Sequence, residues 1–195
     1  MLSNKYSWWA FENVLSKKFC DEVIAFGNQQ EQKLASVGNG KDRESAVNLN
    51  IRDSKVSWLN DTWIHKEITP YIKIANENAG WNYQWDSQES MQFTRYASKQ
   101  YYDWHKDEWE EIYNKSNKVR KLSVTCALNN GDEYKGGNLE FQFRDKVKLE
   151  NAFCNLTRTR GSLIVFPSYV YHRVTPVLSG TRYSLVIWTL GEPWK

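Results

Sequence analysis

The sequence contains few cysteines, has little net charge and lacks long apolar runs. Three scattered cysteines without a Cys-x-x-Cys spacing do not form a disulfide framework, and they predict reduced, buried thiols in a cytoplasmic protein. No stretch resembles a signal peptide or approaches the length of a membrane span, so we expect no contact with a membrane. A net charge of +3 gives no basic stripe, so we expect no nucleic-acid partner.

Aromatic residues are abundant instead. The 10 Trp and 11 Tyr exceed what packing alone requires, which indicates that some of them line a cavity or groove. A length of 195 residues fits a single domain spanning residues 1–195. We expect helical and strand support over about residues 1–80 and a β core over about residues 81–195.

The N-terminal part predicts two helices that back a sheet. Their apolar residues recur at helical spacing. Ser16 is suited to cap the first helix, and Pro70 predicts a kink or a split in the second. The predicted elements are a strand at 6–15, a helix from Ser16 to about Ala35, a weak strand at 46–51, and a helix that starts near Trp58 and ends near Gly80.

After Gly80 the apolar period becomes two, which is typical of strands. Short strands separated by turn signals predict a sandwich or barrel. Polar stretches at 37–50 and 106–121 are candidate lids, or ordinary loops. The predicted strands are Trp81–Trp85, Met91–Tyr96, Tyr101–His105, Leu122–Asn129, Leu139–Phe143, Phe153–Leu156, Leu163–Phe166, His172–Val174 and Arg182–Leu190.

One short motif suggests chemistry. His105 and Asp107 are two residues apart, so in a strand their side chains share a face and can bind one metal ion. Alone, such a pair is more often two surface residues. The chain has three histidines, and His172 lies in a later strand. Two His and one carboxylate form the facial triad of non-haem Fe(II) oxygenases. His65, on the second helix, is interpreted as a surface or packing residue.

Further residues extend this motif into a family pattern. Tyr96 and Tyr102 precede His105, Arg182 follows His172 by ten residues, and a Gly-Gly-Asn-Leu-Glu-Phe segment begins at Gly136. Together they resemble the Fe(II)/2-oxoglutarate dioxygenases, specifically the prolyl-4-hydroxylase-like branch. The resemblance extends from about residue 6 to 194. Gly136 and its neighbour most simply serve a tight turn or a close backbone approach.

The resemblance implies a mainly β fold with N-terminal helices, in which a double-stranded β-helix, or jelly roll, is backed by two or three helices. Such a fold brings distant strands side by side, and it would carry His172 back to His105 and Asp107. It also implies Fe(II) as metal, 2-oxoglutarate and O2 as co-substrates, and ascorbate as a candidate reductant. Because related halogenases lack the carboxylate, the presence of Asp107 favours hydroxylation.

The resemblance also assigns residues to the co-substrate and the substrate. Arg182 and Ser184, on one strand face, and Tyr96 are expected to bind 2-oxoglutarate, because a buried Arg is costly without an anion. Tyr102, Trp188 and Arg52 are expected near the substrate. Core packing remains an alternative for the aromatic residues, and a surface loop remains one for Arg52. Two departures from the family are Lys99, where glycine is frequent, and Leu139, where threonine is frequent.

The pattern predicts a hydroxylase that acts on prolyl residues of a peptide or protein and releases succinate and CO2. An alternative substrate is a free amino acid or small metabolite, with the same chemistry. A non-enzymatic alternative is an inactive β-sandwich binding module, which would require a broken ligand set.

Overall fold

The computed structural model describes residues 6–38, 45–108, 117–142 and 157–194. These ranges hold two helices among short strands. The helices are α1 (Lys17–Gln29) and α2 (Thr62–Asn78). The strands are β1 (Trp9–Phe11), β2 (Lys33–Leu34), β3 (Val37–Gly38), β4 (Ser45–Ala46), β5 (Arg52–Asp53), β6 (Lys55–Leu59), β7 (Ser87–Gln88), β8 (Met91–Tyr96), β9 (Tyr101–His105), β10 (Val119–Ala127), β11 (Tyr134–Gly136), β12 (Leu139–Gln142), β13 (Leu163–Pro167), β14 (Tyr171–Val174), β15 (Val177–Gly180) and β16 (Arg182–Gly191).

Two antiparallel sheets form the body of the protein. The major sheet has eight strands in the order β1-β13-β10-β16-β8-β6-β2, with β7 paired to β16. The minor sheet has four strands in the order β12-β14-β9-β5. Two further pairs, β11 with β15 and β3 with β4, complete the strand pairing that the described ranges contain. Strands distant in the chain therefore lie side by side, as a jelly roll requires.

The two helices cover one face of the major sheet. Ser16 caps α1 as predicted, since its Oγ accepts a hydrogen bond from the Phe19 N–H at 3.1 Å. The apolar faces of α1 and α2 bury Val23, Ile64 and Ile68 completely against the sheet. This dry core holds the major sheet in place and leaves its other face towards the minor sheet. In the described ranges, neither helix is long and apolar enough to cross a membrane.

A second apolar cluster lies between the two sheets. Phe141 on the minor sheet packs edge-on against Phe166 on the major sheet, with ring centroids 4.9 Å apart. Tyr96, Ile164 and Val174 belong to the same cluster. The cluster fills one part of the space between the sheets, and a cavity of about 270 Å³ occupies another part.

Several predicted boundaries in the N-terminal part are wrong. The strand predicted at 6–15 is limited to β1, because Asn13 adopts a φ of 51° and the next two residues hydrogen-bond to Gly161. Helix α1 ends at Gln29, because β2 then pairs with β6. Of the weak strand predicted at 46–51, only Ala46 lies in a strand, at the end of β4, and the residues after it form a turn closed by Asn48 that leads into β5.

The second helix also differs from its prediction. Residues 55–59 form β6, which pairs with β8 along its whole length, so α2 begins only at Thr62. Pro70 lies inside one uninterrupted helix, so the predicted split is wrong. His65 on α2 is half-buried and hydrogen-bonded to Gln88 at 2.6 Å, in agreement with its predicted packing role.

The predicted strand Trp81–Trp85 is absent, because this described segment pairs with a side chain instead of a neighbouring strand. Asn76 on α2 accepts from the Tyr83 N–H and donates to the Tyr83 carbonyl, both at 2.9 Å. Strands β8, β9, β10, β12, β13, β14 and β16 were predicted to within a few residues. The short strands β2, β3, β5, β7, β11 and β15 were not predicted. The predicted strand Phe153–Leu156 and parts of both candidate lids lie outside the described residues.

Candidate active site

Three side chains converge on one point of the cavity. His105 on β9 and His172 on β14 are directly opposite each other in the minor sheet, and Asp107 follows β9. The Asp107 carboxylate lies 3.8 Å from His105 Nε2 and 3.6 Å from His172 Nε2. One ligand atom from each residue lies within 4.8 Å of the other two. The structure thus brings together the predicted facial triad.

Hydrogen bonds orient both imidazoles. His105 Nδ1 donates to the Asp103 carbonyl at 2.7 Å, and His172 Nδ1 donates to the Val170 carbonyl at 3.0 Å. These bonds place the proton of a neutral ring on Nδ1 and leave Nε2 with a free lone pair, as metal ligation requires. Burial lowers the pKa of His105 well below its usual range, so this ring is neutral at neutral pH.

The Asp107 carboxylate is buried and ionised, which suits it to bind a cation. Its Oδ2 is buried and has no hydrogen-bond partner among the described residues. Burial acts to raise its pKa, but electrostatic interactions with His172, His105 and Arg120 and a hydrogen bond from Ser123 outweigh burial and lower the pKa to about 2. A buried, ionised oxygen without a partner is costly unless a cation binds it. The donor set therefore fits a divalent metal ion of the Fe(II) type.

A buried guanidinium group lines the same cavity. Arg182 opens β16 and is only 3% exposed, and its Nη1 donates to Ser184 Oγ at 3.0 Å. Its Cζ lies 5.4 Å from the ring centroid of Tyr96, the residue opposite it on β8. No described carboxylate lies within ion-pair distance of Arg182. Arg182, Ser184 and Tyr96 all line the cavity, and their binding of the co-substrate stays a prediction.

Gly137 makes room for this arginine. Its φ is +62°, and a Cβ at this position would lie 3.2 Å from Arg182 Cδ and 3.0 Å from Val177 Cγ2. Gly136 also has a positive φ, and a Cβ there would collide with the Pro176 carbonyl at 2.2 Å. The close backbone approach predicted for this pair is therefore confirmed.

The other predicted residues also reach the cavity. Tyr102 stacks on His105 with ring centroids 3.4 Å apart, and burial raises the pKa of Tyr102 to about 12, so its hydroxyl stays protonated. Arg52 on β5 is 5% exposed, and its Cζ lies 4.3 Å over the Tyr102 ring. The surface-loop alternative for Arg52 is therefore wrong. Trp188 is 5% exposed, and its buried Nε1 has no partner among the described residues.

An ion pair that the sequence did not reveal supports this wall of the cavity. Arg120 donates from Nε and Nη2 to the two carboxylate oxygens of Glu89, both at 2.6 Å. Its Cζ lies 3.9 Å from the Trp188 ring centroid, and its Nη1 approaches the Asp107 carbonyl at 3.4 Å. Arg120 was assigned to a charged loop, although β10 begins just before it. Arg120 is two residues before Leu122, and this strand-like spacing could have shown that Arg120 belongs to the strand.

The residues of this site all lie in the part of the chain that matches a known family, except Arg52 and Glu89. The sequence profile described as the 2OG-Fe(II) oxygenase superfamily matches residues 91–190, just over half of the chain. The chain belongs to the 2OG-Fe(II) oxygenase superfamily. The matched segment of this oxygenase contains the triad and Arg182, and membership implies that it uses Fe(II), 2-oxoglutarate and O2.

The oxygenase also has curated relatives. A PKHD-type hydroxylase from Synechococcus sp. (strain CC9605) is 34% identical to it over 99 residues, which cover 51% of this chain and 40% of the relative. The chain thus matches less than half the length of this relative. The likeness concerns only the shared region.

Solved structures extend the likeness to the whole fold. A prolyl-4-hydroxylase from Pseudomonas putida superposes with a TM-score of 0.71 at 19% identity, covering 96% of this oxygenase and 94% of that chain. A prolyl hydroxylase from Trichoplax adhaerens, solved with a hypoxia-inducible-factor peptide fragment, superposes with a TM-score of 0.63 at 18% identity, covering 96% and 84%. These superpositions confirm the predicted double-stranded β-helix fold with N-terminal helices.

Proposed function

We propose that this chain is an Fe(II)- and 2-oxoglutarate-dependent hydroxylase in which His105, Asp107 and His172 hold the metal. The observation that carries this proposal is the meeting in one cavity of a complete triad and a buried arginine that has no carboxylate partner in the part of the chain that the structure describes. A binding module would not need an unpartnered Asp107 oxygen, whose burial is costly in a protein without metal. The non-enzymatic alternative is therefore disfavoured.

The bound metal and 2-oxoglutarate supply the oxidation: one atom of O2 enters succinate, the other enters the substrate as a hydroxyl, and CO2 is released. The protein contributes binding and orientation. The two Nδ1 hydrogen bonds fix the imidazoles, and the Arg120 contact to the Asp107 carbonyl holds the third ligand. Ascorbate is a candidate reductant for metal that becomes oxidised without substrate.

Arg182, Ser184 and Tyr96 are proposed to bind the distal carboxylate of 2-oxoglutarate. The Arg182 guanidinium can pair with a carboxylate in bidentate fashion, and the Ser184 bond holds it in one orientation. Arg182 is buried, and Leu139, Val174 and Val186 line the same cavity, so an ion pair at this position is less screened than one at the surface. The cost of burying Arg182 is thereby offset when the co-substrate binds.

The proposed substrate is a prolyl residue in a peptide or protein. Support comes from the names of the relatives and from the peptide in the Trichoplax adhaerens structure, which has the same fold. Tyr102 and Arg52 line the cavity from the minor sheet, like His105, and Trp188 lines it from the major sheet. All three are proposed to contact the substrate. A free amino acid or small metabolite is the second candidate substrate.

We also propose that residues 1–195 form one domain, because α1, α2 and the major sheet share one apolar core. Cys20 and Cys126 are buried free thiols, which supports a reducing, cytoplasmic environment.

The test is an anaerobically Fe(II)-loaded protein supplied with 2-oxoglutarate, O2 and a panel of candidate substrates. Proline-containing peptides and free amino acids are compared for the mass gain of one oxygen atom, and succinate is measured in parallel. We expect one succinate for each hydroxylated product. Absence of succinate release above a His172→Ala control would contradict the proposed function.

A further inference from the structure

Two of the guanidinium groups that line the cavity have no carboxylate partner among the described residues. Arg182 is assigned to 2-oxoglutarate, but Arg52 is buried almost as deeply, at 5% exposure. Its Nε donates to Ser54 Oγ at 3.0 Å and its Nη1 to Gln92 Oε1 at 3.4 Å. These are neutral acceptors, and no described carboxylate lies within ion-pair distance of Arg52. A buried cation that has only neutral partners favours an anionic ligand.

Arg120, which lines the same cavity, is a useful comparison because its charge is already neutralised by the protein. Its guanidinium is matched by both oxygens of Glu89. Glu89 is thereby occupied, and Asp107 faces the two histidines. Among the described carboxylates that line the cavity, none is left for Arg52. The two arginines therefore differ in their partners: the carboxylate of Glu89 neutralises the charge of Arg120, whereas Arg52 has only neutral partners among the described residues.

The charges of the proposed co-substrates do not neutralise Arg52 either. A divalent metal bound by Asp107 keeps one positive charge, and Arg182 adds another. The two carboxylates of 2-oxoglutarate balance these two charges. Among the described residues, the charge of Arg52 is then left without a carboxylate, and a carboxylate of the substrate can balance it.

The position of Arg52 fits a substrate group. Arg52 lies on the Tyr102 ring, and Tyr102 stacks on the metal ligand His105, so one aromatic ring separates the guanidinium from the metal centre. Gln92, its hydrogen-bond partner, is opposite Val186 on β16, whereas Tyr96 is opposite Arg182. Four residues of strand, roughly 13 Å at about 3.3 Å per residue, separate these two levels. The two arginines therefore serve different parts of the cavity.

We propose that Arg52 binds a carboxylate of the substrate, so that the enzyme prefers a proline bearing a nearby anionic group over a neutral one. This inference rests on the proposed function and specifies its substrate class. The carboxylate has two possible sources, the α-carboxylate of a free or C-terminal proline and an acidic side chain next to an internal proline. The unpartnered Trp188 Nε1–H in the same cavity is a further donor for an acceptor-rich ligand.

The test measures binding by isothermal titration calorimetry to anaerobic protein loaded with Fe(II) and 2-oxoglutarate, so that no turnover occurs. Each probe has a neutral counterpart of the same shape. N-acetyl-L-proline is compared with N-acetyl-L-prolinamide, and acetyl-Ala-Pro-Asp-amide is compared with acetyl-Ala-Pro-Asn-amide. We expect the acid of one pair to bind roughly 10- to 100-fold more tightly than its neutral counterpart, as for a hydrogen bond to a charged group. The pair that shows the preference identifies the source.

Variants connect the preference to Arg52. Arg52→Gln should remove the preference for the acid, and Arg52→Lys should retain part of it, since the charge stays but the planar fork is lost. Arg95→Gln is the matched control: it lies on β8 between the inward-facing Thr94 and Tyr96, so its side chain points to the opposite face. This control should keep the full preference.

The outcomes separate this inference from the proposed function. Failure to bind 2-oxoglutarate in the presence of metal would contradict the proposed function. Intact 2-oxoglutarate binding with equal affinity for acid and amide in both pairs, including no measurable binding of either, would overturn the role of Arg52 alone. Weaker 2-oxoglutarate binding in Arg52→Gln would also overturn it, because Arg52 would then belong to the co-substrate.

Discussion

The two faces of the major sheet are buried to the same depth but carry opposite chemistry. On β16, Leu185 and Ile187 point towards the helices and are at most 1% exposed. Earlier on the same strand, Arg182 and Ser184 point towards the cavity and are at most 3% exposed. Adjacent residues of a strand face opposite sides, so one strand contributes to both environments.

The comparison shows that buried side chains stabilise the fold on one face of the sheet and prepare a ligand site on the other. Apolar burial against the helices stabilises the fold. Polar burial towards the cavity costs free energy unless a ligand compensates it. Substitutions on the two faces should therefore separate stability from ligand binding, and the following predictions test this separation.

The largest expected effect is at the metal. Asp107→Ala removes the only carboxylate of the triad, and we expect metal affinity to fall by more than about 100-fold, since even indirect partners of a ligand contribute 10- to 100-fold. The unfolding temperature of the metal-free protein should change much less than the metal affinity, because removal of the buried Asp107 Oδ2, which has no partner among the described residues, offsets the lost contacts of this carboxylate with His172 and Ser123. Metal content after anaerobic loading and dialysis checks the first point, and calorimetric unfolding checks the second. Retention of one metal per chain by the variant would contradict the triad.

The next effect contrasts two residues of β16. Arg182→Met should weaken 2-oxoglutarate binding roughly 10- to 100-fold, because a charge-assisted bidentate pair is lost, while the stability of the ligand-free protein is retained. Leu185→Ala should do the reverse: it should cost about 2–5 kcal/mol of unfolding free energy and leave the dissociation constant of 2-oxoglutarate unchanged. Titration calorimetry and urea unfolding on both variants provide the comparison. If both variants lost affinity and stability together, the two faces would not be separable.

A smaller effect concerns pH on the helix-covered face. Burial raises the pKa of the Cys20 thiol to about 11, above its ordinary value of 9.0. The folded protein therefore holds this proton more tightly than the unfolded chain. The resulting stabilisation is complete below pH 9 and is lost as the pH rises towards 11.

We expect Cys20→Ala to lose less unfolding free energy than the wild type between pH 8 and pH 10.5. Urea unfolding at both pH values measures the two differences, and an equal loss in both proteins would show that Cys20 does not titrate in this way.

The smallest effect lies at the corner between the two sheets. Lys99, between β8 and β9, adopts a φ of 70°, the left-handed region that favours glycine. Lys99→Gly should therefore stabilise the protein by about 0.5–1 kcal/mol, the relief of strain exceeding the added chain entropy.

Lys66→Gly on α2 is the matched comparison for Lys99→Gly. It should destabilise by about 1 kcal/mol, since glycine is unfavourable in a helix interior. The midpoints of urea unfolding measure the change in stability of both variants. Destabilisation by Lys99→Gly would contradict the strain argument.

The sequence predicted the parts of the molecule that depend on local spacing. His105 and Asp107 are two residues apart, and His172 and Arg182 lie in strands whose period of two is clear. The cap at Ser16 follows from the same kind of local rule. The family resemblance then supplied the strand pairing that local spacing cannot give.

The errors have one common cause, which is that distant partners override local pattern. Trp81, Tyr83 and Trp85 alternate like a strand, yet Asn76 on α2 satisfies the backbone of Tyr83. Trp58 continues the helical apolar pattern, yet its segment pairs with β8 and its side chain is 53% exposed. Glu89 and Arg120 are 31 positions apart, so their ion pair had no local signal.

The most direct test of the central account is a visible absorption spectrum of the anaerobic protein titrated first with Fe(II) and then with 2-oxoglutarate. Chelation of Fe(II) by a 2-oxo acid produces a metal-to-ligand charge-transfer band. We predict a band that saturates at one Fe(II) and one 2-oxoglutarate per chain, disappears in His172→Ala, and requires much higher 2-oxoglutarate concentrations in Arg182→Met. A wild-type protein that gives no band, or a band of equal strength and midpoint in all three proteins, would contradict the account.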